Sequence, residues 1–401
     1  MGTAPAGVRN LFRSAMVIFV VTIVIGILNG IDVWEVPRNT LLTHVHAGTL
    51  GWVTLCVFAG AIWMFGSSDD PSSGRVANFA IIAVVIYVLA FWSVDLTTPT
   101  SIQRPIGGTL ALIAMAWMFG WAWKQRPASW DVARFGMILA LAFLVFGAIL
   151  GVLLGLQLSG EVQIVAEENT PLLYESHPGA MVAGFVILAG LALIEWLMPG
   201  REVPQLGGAG GKVGATQMLL LFVAGVLLVI GFFVDSNEMI QGAGGFQLIG
   251  SIFLIGRFAR HMAPSKWGGA VVNRFVRTAV VGMIIVVALV IYLIGQLSQD
   301  VPFEELFGFG LAFDHLNFIM VITNLVFAMM ATAWTVSDAA NRLIYWSVNV
   351  GVLGFAVGLI AEQDVLKRIF TPILGLGLLY AIYKYLTAPE ATAPVEAQVS
   401  M

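Results

Sequence analysis

The stretch LLTHVHAGTLGWVTL, residues 41–55, carries two histidines, His44 and His46, separated by one residue at the mouth of a long apolar run. Two further histidines sit in similar settings, His177 in ESHPGAMVAGF and His315 in FDHLNFIMVIT. The fifth, His261, lies in the basic stretch RFARHMAPSKW and is expected to be a solvated surface residue. A neutral imidazole is costly to place in an apolar run unless it is satisfied, and it ligates transition-metal ions well. On an α-helix each residue turns by about 100°, so His44 and His46 point some 200° apart. They cannot share one ion at the side of a helix, but each can serve a separate site on opposite flanks.

The elements that must position these rings follow from composition. The chain has 401 residues, 59% of them hydrophobic and 10% charged, with a mean hydropathy of +0.92. Soluble domains carry about 25% charged residues, so this is a polytopic membrane protein, all-α. A crossing helix needs about 20 apolar residues. Scanning at that length predicts twelve transmembrane helices, centred near residues 22, 54, 85, 115, 144, 187, 226, 250, 286, 324, 352 and 378. The eighth, FQLIGSIFLIGRF, is the shortest. Loops such as GSSDDPSSGR and MPGREVPQLGGAGGKVG separate them. The first run, about 15–28, follows Arg9 and Arg13 without a small-residue cleavage site and reads as a retained helix. Cys56, the single cysteine, excludes a disulfide within the chain. The net charge of −4 gives no sign of a nucleic-acid partner.

Charge orients the spans. With both termini cytoplasmic, 15 of the 19 cations fall inside, and only Arg38, Arg104, Lys367 and Arg368 fall outside. That is the positive-inside pattern. Glu161, Glu167, Glu168, Glu175, Asp300, Glu304 and Glu305 go to the outer side. The expected setting is a bacterial inner (plasma) membrane, crossed many times, with membrane lipid around the chain and a disordered cytoplasmic tail over 388–401.

On this reading His44 and His46 open the second helix, His177 the sixth and His315 the tenth, all near one depth below the outer surface. The intervals His46 to His177 and His177 to His315 are 131 and 138 residues, and each segment reaches a tryptophan (Trp63, Trp196, Trp334) 17 to 19 residues later. This predicts one transmembrane domain of three pseudo-symmetric four-helix repeats, about 1–130, 131–265 and 266–390. Ionisable groups inside a membrane face the bundle interior and mark functional sites. Structural zinc wants four converging ligands, often thiolates, and a hard cation wants a carboxylate cage. Neither is available at this depth. Heme fits: an apolar ring, an iron that accepts imidazole, and carboxylates that emerge at the polar boundary. Gly48, Gly51, Gly179 and Gly184 leave room for a flat ring, or for close helix packing. Arg38 and Arg104 are the candidates to hold propionates, or are solvated loop residues.

The segment HVHAGTLGWVTLCVFAGAIW resembles the heme-ligating helix of subunit I of the heme–copper oxidase superfamily, above all of the cb-type oxidases. There a His-x-His, followed by a Gly and a Leu-Gly-Trp pattern, ligates two hemes, one ring to each. Twelve spans in a pseudo-threefold plan are also that family's architecture. The chain is also similar to NnrS-type membrane heme proteins, linked to nitric-oxide stress. The resemblance implies that His44 and His46 are axial ligands of one or two b-type hemes (heme b), and that His177 and His315 supply the partners. By cyclic order His46 would pair with His177; by helix number it would pair with His315.

The departures bear on function. In the oxidases the His-x-His is on the tenth helix, here on the second. Their copper takes three histidines, two of them adjacent on the seventh helix, where this chain has none (MLLLFVAGVLLVIGFFVD). Copper or non-heme iron would then need Asp314 or Glu175, whose other reading is helix-terminus capping. Glu195 and Tyr292 form no proton wire, so pumping is not expected. The expectation is a heme b membrane protein in electron transfer, or in O2/NO binding or reduction, at the outer leaflet. It would be an oxidoreductase if it turns over, with a redox partner protein or quinol as donor and O2 or NO as the gas ligand. The alternatives are a non-catalytic NnrS-like gas sensor holding heme or copper, and a proton or metal transporter. Transport sites lie near the midplane on broken helices, whereas these rings lie near one face.

Overall fold

In the computed structural model the described residues are 6–67, 70–93, 102–160, 162–299 and 301–391. Twelve helices among them are long and apolar enough to cross a membrane: α1 Gly7–Gly30, α2 Arg38–Phe65, α3 Pro71–Ser93, α4 Gln103–Lys124, α5 Val132–Ser159, α6 Glu167–Leu197, α7 Ala209–Phe233, α8 Asn237–His261, α9 Val271–Leu297, α10 Glu304–Ala333, α11 Asp338–Ile360 and α12 Asp364–Thr387. Every predicted centre falls inside one of them. The helix expected to be shortest, α8, runs 25 residues, because the polar stretch NEMIQGAGG before its apolar run is helical as well. In hydrocarbon a backbone can satisfy its own polar groups only as helix or closed barrel, which is why apolar runs of this length have one outcome.

Three helices are set apart. In α2, α6 and α10 the central window is 89%, 78% and 83% buried, against 33% to 56% in the other nine. The nine form a closed ring in the order α1, α3, α4, α5, α7, α8, α9, α11, α12 and back to α1, each packing on the next. Inside the ring α10 packs against both α2 and α6. The α2–α6 contact includes the edge-to-face pair Trp63–Trp196 (6.0 Å). Both ends of the described chain lie at one end of the bundle, where the Arg9 guanidinium meets Glu390 at 2.9 Å. Residues 388–391 pair with the end of α10, through Thr335 N–H to Pro389 O and Ala391 N–H to Ala333 O. The remainder of the expected tail lies outside the described residues, as do Glu161 and Asp300.

The three inner helices share a distortion. Each contains an eight-residue π-helical segment, Ala47–Thr54, Gly179–Val186 and Leu316–Thr323. These begin one residue after His46, two after His177 and one after His315. Wide turns of this kind are rare and concentrate at functional sites. Hydroxyls capture carbonyls five residues back, Thr54 on Thr49 O (2.9 Å) and Thr323 on Phe318 O (2.8 Å). The indole of Trp52 donates to Thr323 Oγ1 at 2.8 Å, tying the π segment of α2 to that of α10.

Candidate functional site

All four membrane histidines are held in the same chemical state. His44 Nδ1 meets Thr22 O of α1 at 2.8 Å, and His177 Nδ1 meets Gly147 O of α5 at 2.9 Å. His46 Nδ1 meets Leu42 O at 2.8 Å and His315 Nδ1 meets Leu311 O at 2.7 Å, each on its own helix. A carbonyl can only accept, so each neutral ring carries its proton on Nδ1, and Nε2 is left as a bare lone pair. No Nε2 of the four has a hydrogen-bond partner among the described residues. An imidazole anchored through one nitrogen with the other free is the arrangement seen in metal-ligating histidine.

The rings fall into two pairs. His46 and His177 share one cavity, and His44 lies within electrostatic range of His315. The two pairs are built alike: each joins a ring tied to its own helix (His46, His315) with a ring tied to the preceding outer helix (His177 to α5, His44 to α1). The divergence of His44 and His46 turns His44 toward α1 and His46 toward the α2–α6 side.

His46 and His177 both line a cavity of 290 Å³ between α2 and α6, walled by α3, α4 and α5. Its surface is mostly apolar, with Phe91, Met115, Leu154 and Met181 among the lining residues. The predicted Arg38 and Arg104 both reach it. Arg38 is exposed at the rim. The Arg104 guanidinium lies over the Phe91 ring at 4.7 Å. Phe91 in turn stacks on His46, with ring centroids 4.0 Å apart.

Glycines do leave room here, but not those expected. Gly48, Gly51, Gly179 and Gly184 face outer helices: a Cβ on Gly51 would stand 2.2 Å from Ile18, and one on Gly184 2.4 Å from Phe143. Their role is close helix packing. The cavity is lined instead by Gly108, Gly151 and Gly155. A Cβ on Gly151 would stand 2.7 Å from the His177 ring, and one on Gly26 of α1 3.0 Å from the His44 ring. The spacing Gly147, Gly151, Gly155 on α5 was the sequence signal for this, a small residue every four.

Two other readings are corrected. Asp314 and Glu175 lie well inside α10 and α6, so neither caps a helix start. His261 is buried, 9% exposed, because α9 folds back over it: Arg277 Nε donates to its carbonyl at 3.1 Å. Among the described residues no group of three or more His, Cys, Asp or Glu could hold a metal ion. The donors are paired imidazoles, and that is a set heme iron accepts and a tris-imidazole copper does not. No protein-family model matches the chain, and no curated protein matches it.

Proposed function

We propose that this chain is a heme b-binding membrane protein related in plan to subunit I of the heme–copper oxidases, and that it carries electrons through bis-imidazole iron near one face of the membrane. The observation that carries the reading is the α2–α6 cavity, where two imidazoles with free Nε2 atoms share an apolar space with two arginines. His46 and His177 would be the axial ligands, with Arg38 and Arg104 available to the propionates. His44 and His315 would hold a second heme in the same manner. When bound, heme supplies a one-electron iron couple, and an iron able to take a diatomic gas if a ligand leaves.

The residues around the rings have definable tasks. Thr22, Leu42, Gly147 and Leu311 orient the imidazoles through Nδ1 and raise their basicity. Phe91, Leu154 and Met181 exclude water. A three-repeat plan in which His315 corresponds to His46 and His44 to His177 would account for two sites rather than three, since the third pair of positions would be Gly179 and Phe313, which offer no ligand.

With both pairs of imidazoles used, O2 or NO binding would require a ring to leave, so electron transfer is the better-supported role, and gas reduction or sensing is secondary. The test is a visible spectrum of the purified full-length protein, with heme reconstitution, for the wild type and for His46→Ala, His177→Ala, His44→Ala and His315→Ala. The expected result is a low-spin spectrum in the wild type and loss of one heme equivalent within each affected pair. Absence of a Soret band after reconstitution would overturn the reading. Consumption of O2 or NO with an artificial reductant would move the assignment from carrier to reductase.

A further inference from the structure

The end of the bundle away from the histidines holds a second concentration of ionisable groups that the heme reading does not use. Residues 257–277, from the end of α8 into the start of α9, contain Arg257, Arg260, Lys266, Arg274 and Arg277 and no carboxylate. Four cations, Arg201, Arg260, Lys266 and Arg277, lie within electrostatic range of the buried His261. Arg201 and Arg257 both pair with Glu195, which is 1% exposed, and their guanidiniums lie over Phe258 at 4.6 and 5.6 Å. Glu202, the next residue after Arg201, is exposed and forms no ion pair among the described residues. The cluster of Arg201, Arg257, Arg260, Lys266 and Arg277 thus has five cations to one buried carboxylate.

A bias of cations toward one face explains their presence at this end but not the burial of Arg277. Arg277 is 4% exposed and forms no ion pair among the described residues: Nε donates to His261 O at 3.1 Å and Nη1 to Asn273 O at 3.3 Å. A buried guanidinium without an anionic partner is strongly unfavourable. Arg260 Nε meanwhile points at His261 Nε2 (3.1 Å) rather than at an acid. An anion with several acceptor oxygens would complement these cations where the ends of α6 and α8 meet the start of α9. Trp267, whose indole donates to Met262 O at 3.1 Å, lies in the connection between α8 and α9, and tryptophans concentrate at membrane interfaces.

We infer that the α6, α8 and α9 ends form a phosphate-binding site lined by Arg201, Arg260, Lys266 and Arg277, which takes the phosphodiester of an anionic membrane lipid. This site is independent of the heme assignment and stands or falls separately. Basic recesses between transmembrane helices are known to hold such headgroups. The test uses the full-length protein in nanodiscs of phosphatidylcholine alone and of phosphatidylcholine with phosphatidylglycerol, read by thermal unfolding. Phosphatidylglycerol should raise the midpoint by about 3 °C or more. Arg277→Gln should lose most of that rise. So should Arg260→Gln, whose exposed side chain makes misfolding a small risk. Arg342→Gln, an exposed cation at the same end on α11, should keep it. Equal rises in all three variants would reduce the effect to general surface charge and overturn the site. The same rise from inorganic phosphate in phosphatidylcholine discs would keep the site and overturn a lipid as its source. No rise with either probe would overturn the proposal outright.

Discussion

Gly151→Ala tests the site without touching a ligand. The added Cβ would stand 2.7 Å from Cε1, 3.1 Å from Nδ1 and 3.3 Å from Nε2 of His177. Ordinary contact begins near 3.4 Å, so the ring must retreat by about 0.7 Å. It cannot retreat freely, because Nδ1 is tied to Gly147 O at 2.9 Å, one turn back on the same helix as Gly151. Losing that hydrogen bond costs about 1 kcal/mol, and accommodating an extra methyl in a packed site costs about 1–3 kcal/mol. A net penalty of about 1–3 kcal/mol on ligation corresponds to roughly 5- to 150-fold weaker heme binding at the α2–α6 cavity. Gly256→Ala on α8 is the matched control, since nothing lies within 4 Å of where its Cβ would stand and it is outside the cavity lining. The assay is titration of apoprotein with heme, followed in the Soret band and checked by the low-spin spectrum. Gly151→Ala protein that binds heme with wild-type affinity and an unchanged spectrum would refute His177 as a ligand held in this geometry.

Two further outcomes follow from the ion pairs. Glu195→Leu leaves the guanidiniums of Arg201 and Arg257, each 8% exposed, without their shared carboxylate. The loss should be about 3–5 kcal/mol in detergent unfolding, and a loss under about 1 kcal/mol would show that water reaches the pair. At the histidine end Asp32, in the turn between α1 and α2, accepts a hydrogen bond from Arg368 at 2.9 Å, which holds its carboxyl below the usual aspartate range. A carboxylate depressed in the folded state contributes stability that is present above its unfolded pKa and lost as pH falls through the folded one. Wild-type protein should therefore lose a small increment of thermal stability below about pH 4, and Asp32→Asn should lack that component. Identical pH profiles would show that the α1–α12 contact through Asp32 adds nothing.

The spans were legible because in a bilayer the backbone must bond to itself, so twenty apolar residues have one structural meaning. The four histidines stood out in the sequence because few polar rings occur in such runs, and each lies just before or beside a π-helical segment of an inner helix. The His44–His46 divergence was readable from helical twist alone, and the structure turns His44 toward Thr22 and Gly26 of α1 and His46 into the α2–α6 cavity. Glycine roles were not legible. Gly51 and Gly151 look alike in sequence, yet one packs on Ile18 and the other makes space for His177, because a glycine's partner is chosen by the neighbouring helix. His261 looked like a solvated loop residue since its local sequence is basic. Its burial comes from α9, whose Arg277 is sixteen residues away.

Length, hydropathy and residue type by themselves determined the twelve helices that, among the described residues, are long and apolar enough to cross a membrane, and which imidazoles stand in apolar runs. Both are local properties, set by what each segment can do in hydrocarbon. The pairing of those side chains was decided only when nine helices closed into a ring around three. That packing brought His46 to His177 and His44 toward His315, turned every Nδ1 onto a carbonyl, and placed two arginines at one cavity. Such distances depend on which helix lies beside which, and inter-helix packing is a sum over many weak contacts that no single segment encodes.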